Sequence, residues 1–250
     1  NHATAYGSPS LDQNTQNGLT SMHYTGNSQY HDFNKIDDIR TVFWVISQDN
    51  TANGSGYRFL LNSAGYGGIH PAADFHNDNN GKFWGNSAHV NIKNGITRLN
   101  GTELSGNTNY PNNLSIISLK TEGNVAANRF GQDRTHVGRQ WIGKLGELLI
   151  FNEALEDDEI ESIEGYLAHK WDLQGSLNGS HPYKSTPPDF EFGEAFVSDN
   201  GHDLEPLYFE FLHSIPAYRE EDLISRWDFE EFTEDRSGLL RIRDLGPARN

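Results

Sequence analysis

Along most of the chain, apolar and polar positions alternate with the two-residue period of β-strands. His2 to Tyr6 and Ser21 to Tyr24 read as half-buried strands separated by a polar loop rich in Asn, Gln and Gly. Thr41-Val42-Phe43-Trp44-Val45-Ile46 is β-branched and aromatic throughout. Its predicted hairpin partner is Tyr57 to Leu61, across the turn residues Asn53-Gly54-Ser55-Gly56. Val90 to Ile92 reads as a strand, Asn94-Gly95 as a turn, and Thr97 to Leu104 as a hairpin turning at Asn100-Gly101, before a strand over Leu114 to Leu119. Gly146 to Phe151 ends in four consecutive apolar residues, as in a strand covered on both faces. From Asp157 the period changes to that of a helix. Ile160, Ile163, Leu167 and Trp171 share one face, while Glu161, Glu164, His169 and Lys170 are expected to stay wet. Acidic residues from Glu156 to Glu159 suit a helix N-terminus and Lys170 suits its C-terminus. Many short strands, Gly- and Asn-rich turns and one short helix near 157–171 predict an all-β fold built as a sandwich of two antiparallel sheets.

Past Pro188 the pattern breaks. Residues 189–222 are acidic, aromatic and irregular, with Pro206 and Pro216 interrupting short apolar runs, and read as a linker that packs against something. Alternation returns at Leu223-Ile224-Ser225-Arg226-Trp227-Asp228-Phe229-Glu230. The chain therefore divides into a sandwich over 1–188, a linker over 189–222 and a terminal strand region over 223–250.

Composition adds exclusions. Nineteen basic residues against 35 acidic give a net charge of −16, which argues against nucleic-acid binding and suits cation binding. Aromatics make up 12% of the chain, so large rings can build the core. There is no cysteine, hence no disulfide, and no apolar run approaches the length of a membrane span. The chain starts at Asn1 without a signal peptide and reads as a processed product or a segment of something longer.

The segment G-E-L-L-I-F-N-E-A-L-x-D-x-E-I-x-x-I-E-G-Y-L-A-H-K-W, followed by His181-Pro182-Tyr183 and Pro187-Pro188, resembles the C-terminal end of LamG-type concanavalin A-like domains. The resemblance spans Gly146–Pro188 and continues more loosely to about Asn1. It implies a jelly-roll sandwich, an extracellular or cell-surface location, and often a carbohydrate- or protein-binding role, and does not by itself imply catalysis. The other end carries it too. Trp227-Asp228-Phe229 and Asp244-Leu245-Gly246-Pro247-Ala248-Arg249-Asn250 resemble the opening of such a domain, and their natural continuation is found at Asn1-His2-Ala3-Thr4. The sequence thus looks like a circularly shifted repeat unit. Its assembly strand, with Trp227, Asp228 and Phe229, is expected to complete its own sheet or that of the next copy, head to tail, the plainer alternative being a tandem array in which this end only begins the next domain.

Three candidate chemistries follow. Domains of this family often carry one Ca²⁺ at a loop edge, and the Asp74–Asn80 loop offers Asp74, Asn77 and Asp78 as oxygen ligands. Trp44, Tyr57, Tyr66, Trp84, His89 and Trp141 are flat rings able to line a face for an extracellular glycan. Trp44 and Trp141 lie in strand patterns and are expected in the core; Tyr66, Trp84 and His89 remain as ligand-binding candidates, Tyr66 and Trp84 exposed in Gly-rich loops. Glycoside hydrolysis, performed by some enzymes of the same fold, needs two facing carboxylates, whereas Gly146–Phe151 holds only Glu147. The chain is therefore expected to be a non-catalytic module, with glycan binding as the alternative and hydrolysis a remote third.

Overall fold

The computed structural model describes residues 2–26, 28–49, 56–63, 75–78, 80–104, 107–134, 138–188, 223–228, 232–234 and 240–243. In chain order these form strands β1 (His2–Tyr6), β2 (Ser10–Gln16), β3 (Leu19–Thr25), β4 (Tyr30–Gln48), β5 (Phe59–Asn62) and β6 (Phe75–His76). A short helix α1 (Val90–Lys93), strands β7 (Ile96–Leu99), β8 (Thr102–Glu103), β9 (Ser115–Phe130) and β10 (Ile142–Phe151), and the helix α2 (Asp157–Lys170) follow. Strands β11 (Leu223–Asp228), β12 (Phe232–Glu234) and β13 (Leu240–Arg243) close the described chain. The protein is thus mostly β, with one long helix and a large sheet in which every pairing is antiparallel.

Two long strands, β4 and β9, are the spine of the sheet. They pair along most of their length, His31 opposite Phe130 at one end and Ile46 opposite Ser115 at the other. Register shifts between Asp32 and Thr41 break the ladder at its middle, where extra residues bend a strand pair. Beyond the bend each long strand acquires different neighbours. Thr41–Gln48 of β4 pairs with β10, and Ile117–Lys120 of β9 with β7. On the other side of the bend, Tyr30–Asp32 pairs with β1, and Arg129–Phe130 with β5. One spine thus carries two sets of flanking strands.

Alternation along the spine sorts side chains into two cores. Val42, Trp44, Ile46, Ile117, Leu119, Leu148 and Ile150 join Ala3, Phe33, Leu60, Phe75 and Phe130 from the other side of the bend in one cluster. Phe43, Val45, Ile116, Leu149 and Phe151 face the opposite way, against Ile160, Ile163, Leu167 and Trp171 of α2. The apolar runs in β4 and β10 are continuous because helix and core cover both faces, as the sequence predicted for Gly146–Phe151. Burying each such large side chain contributes roughly 1.5–3 kcal/mol.

The sequence reading needs four corrections. Tyr57–Leu61 is not the hairpin partner of Thr41–Ile46, since β5 pairs with β6 and β9 instead. Val90–Ile92 is helical, with the His89 ring as N-cap: its Nδ1 accepts the Asn91 N–H at 3.1 Å. The polar stretch between β1 and β3 contains β2, an edge strand on β3. Glu164 is not wet but fully buried. Its Oε1 accepts the Ser118 hydroxyl at 2.5 Å and its Oε2 lies 3.3 Å from His181 Nε2. Because His181 Nδ1 accepts the Tyr183 N–H, Nε2 is the protonated nitrogen and donates to the carboxylate. This acid ties α2 to β9 and to the segment that follows the helix.

Candidate functional site

The edge of β10 shows how the terminal strand is received. At its first residues, Ile142 to Leu145, β10 pairs with β3. From Glu147 to Phe151 the same edge pairs with β11, so β3 and β11 lie end to end. The changeover coincides with Gly146, where the register of β10 against β4 also slips. A Cβ on Gly146 would fall 2.8 Å from the Trp171 ring, so only glycine lets the helix end approach this closely. Trp171 Nε1 donates to the buried Glu147 carboxylate at 3.0 Å, and Lys170 Nζ lies 2.9 Å from the same oxygen. These bonds clamp the last turn of α2 to β10 at the point where the edge passes from one partner strand to the other. Glu147, the one acid of this strand, is thereby committed to structure.

β11 lies antiparallel on that edge, with Trp227 opposite Leu148 and Asp228 opposite Glu147. Directly opposed residues share a face of the sheet. Trp227 therefore holds the register position opposite Leu148. Phe229, third of the predicted assembly residues, lies outside the described residues. Downstream, β13 pairs with β12 and with β1, setting Arg243 opposite His2.

The other predicted site residues are not brought together. Tyr66 and Asp74 lie outside the described residues. Trp84 is not an exposed ring: it packs among Phe83, Phe75, Trp44 and Tyr110, and its Nε1 donates to Thr97 Oγ1 at 2.9 Å. His89 is half-buried at the start of α1, and its pKa is lowered by desolvation and then by the Lys93 ammonium. Asn77 is buried, its Oδ1 accepting the Arg58 N–H at 2.5 Å. Asp78 Oδ1 accepts the backbone N–H groups of Asn80 and Lys82, both at 2.8 Å, which closes the turn. Trp44 and Trp141 are fully buried, as expected. Among the described residues no group of three His, Asp or Glu is arranged to hold a metal ion, and no helix is long and apolar enough to cross a membrane.

Sequence reasoning overlooked the clamp on β10. Its signal was present in Gly146 beside a lone acid in an apolar strand, with Lys170-Trp171 ending the following helix. Comparison with known proteins adds no identity: no family model, curated protein or solved structure matches the chain.

Proposed function

We propose that this chain is a LamG-like, concanavalin A-type jelly-roll module of a large extracellular or surface protein, assembling or adhering through its C-terminal strand. In this reading the bent spine of β4 and β9 folds one sheet into two facing layers, and successive copies share β11 head to tail. The observation that carries it is the edge of β10, which β3 leaves at Leu145 and β11 takes from Glu147. An unpaired strand edge is a template for any strand of suitable pattern. The segment between Pro188 and Leu223 has a contour length of up to about 120 Å. The same ladder is therefore within reach of a strand from the chain's own end or from a neighbouring copy.

Deletion of 223–250 tests this reading. The truncated chain is expected to be destabilised or to aggregate, and a peptide spanning Leu223–Glu231 added in trans is expected to restore its melting temperature. Light scattering on the intact chain should show oligomers that grow with concentration and vanish in Trp227→Asp. A truncated chain as stable as the parent, or a monomer at every concentration, would remove strand sharing from the account.

A further inference from the structure

A second site lies on other elements. β6 contributes His76, whose ring is almost wholly buried. Phe59 stacks on it with centroids 4.7 Å apart, and Tyr57 meets it edge-on at 5.2 Å. His76 Nδ1 lies 2.5 Å from the carbonyl oxygen of Asn77. A carbonyl only accepts, so Nδ1 carries the proton. Burial, the largest influence on the ring, lowers its pKa from the usual 6.5 and keeps it neutral at pH 7. A neutral ring protonated at Nδ1 has its lone pair on Nε2, and there Ser87 Oγ sits at 3.1 Å. The Ser87 hydroxyl must then donate to the imidazole, leaving the lone pairs of Oγ at an exposed position.

The surroundings support the same direction of proton flow. The carboxylate of Asp133, fully buried, favours the protonated ring, an influence opposed by the Arg139 guanidinium. Arg139 itself donates to Asp133 Oδ2 at 2.7 Å, and Arg134 Nε lies 3.0 Å from Oδ1. Gly85 is what brings the serine loop onto the ring, because a Cβ there would fall 2.5 Å from His76 Cε1. A tautomer-fixing acceptor, a buried base and a solvent-facing hydroxyl are the parts of an activated nucleophile.

We propose that Ser87 and His76 form a nucleophile–base pair that cleaves acyl esters. Ser87 Oγ adds to the ester carbonyl carbon as its proton passes to His76 Nε2. Collapse of the tetrahedral intermediate expels the alcohol, which takes that proton. Water then attacks the acyl-serine by the same route, releasing the carboxylic acid and restoring the hydroxyl. This activity goes beyond the assembly reading, departs from the expectation of a non-catalytic module, and shares no residue with the β10 edge.

The test uses the intact chain and a fluorophosphonate probe, which forms an Oγ–P bond and loses fluoride. Peptide mapping is expected to place the label on Ser87, with the signal lost in S87A, whose cooperative melting transition is checked to show that it remains folded. H76Q should slow labelling at Ser87 at least about 100-fold. The labelling rate of the parent should fall on acidification with its midpoint below pH 6.5, as His76 takes up a proton. This profile decides the matter even where H76Q folds poorly. Labelling of Ser87 no faster than in the urea-unfolded chain would overturn the proposal, as would a rate climbing steadily with pH through 7 to 9.

Discussion

His31 is a buried base with one satisfied nitrogen. Its Nδ1 lies 2.7 Å from the Tyr24 hydroxyl, while Nε2 has no hydrogen-bond partner among the described residues. Desolvation lowers its pKa to about 3, against 6.5 when exposed. Below pH 6.5 the unfolded chain therefore binds a proton here that the native state refuses until about pH 3. Stability contributed by this residue is intact above pH 6.5 and lost on acidification, at about 1.4 kcal/mol per pH unit. His31→Gln should remove that component, so urea midpoints measured between pH 6.5 and 4.5 should fall less steeply in the variant than in the parent. Equal slopes would contradict the assignment. Gly165 makes a second residue-scale case. In an exposed helix interior, Gly to Ala stabilises by about 1 kcal/mol. Here a Cβ would lie 2.5 Å from that of Tyr183, so Gly165→Ala is expected to destabilise by about 1–3 kcal/mol and lower the melting temperature. A raised melting temperature would show that the segment around Tyr183 yields to the methyl group.

At the scale of elements, what was legible depended on whether burial left a period. Thr41–Ile46 and Leu148–Phe151 could be read because both faces of their strands are covered, and α2 because one face meets the sheet. β2 escaped notice because it is an edge strand with no buried residue, so its composition resembles a loop's. Val90–Ile92 has strand-like residues, but the His89 cap and the Asn94 N–H bond to the Val90 carbonyl turn it into a helix, local bonds outweighing propensity. Glu164 had no chance of being read as buried, since its partners lie 46 and 17 residues away in sequence. The site followed the same rule. The alternation of Trp227 and its neighbours predicted a strand, whereas its place against Leu148 joins residues far apart in the chain and left no local signal. Trp84 misled because a loop position suggested exposure, whereas the loop folds inward over Phe83 and Tyr110.

For the whole molecule, the continuity of β4 and β9 sets the cooperativity of unfolding. Both sets of flanking strands hang on the same two backbones, which run unbroken through the bend and pair with each other on both sides of it. Amides of Val42–Ile46 and of Ile36 and Ile39 are expected to exchange hydrogen with one common free energy, equal to that of global unfolding, when measured under native conditions. Two distinct free energies across the bend would mean that the halves open separately. The pairing of β1 with β13 has a mechanical corollary. His2 and Arg243 sit side by side on antiparallel strands, at the same end of the ladder. Tension drawn between these two points loads the hydrogen bonds one after another, as in a zipper, instead of shearing them all at once. A pulled unit would yield its terminal strands at low force, with the spine engaged only afterwards, and the fold would act as a shock absorber whose first extension is cheap and reversible.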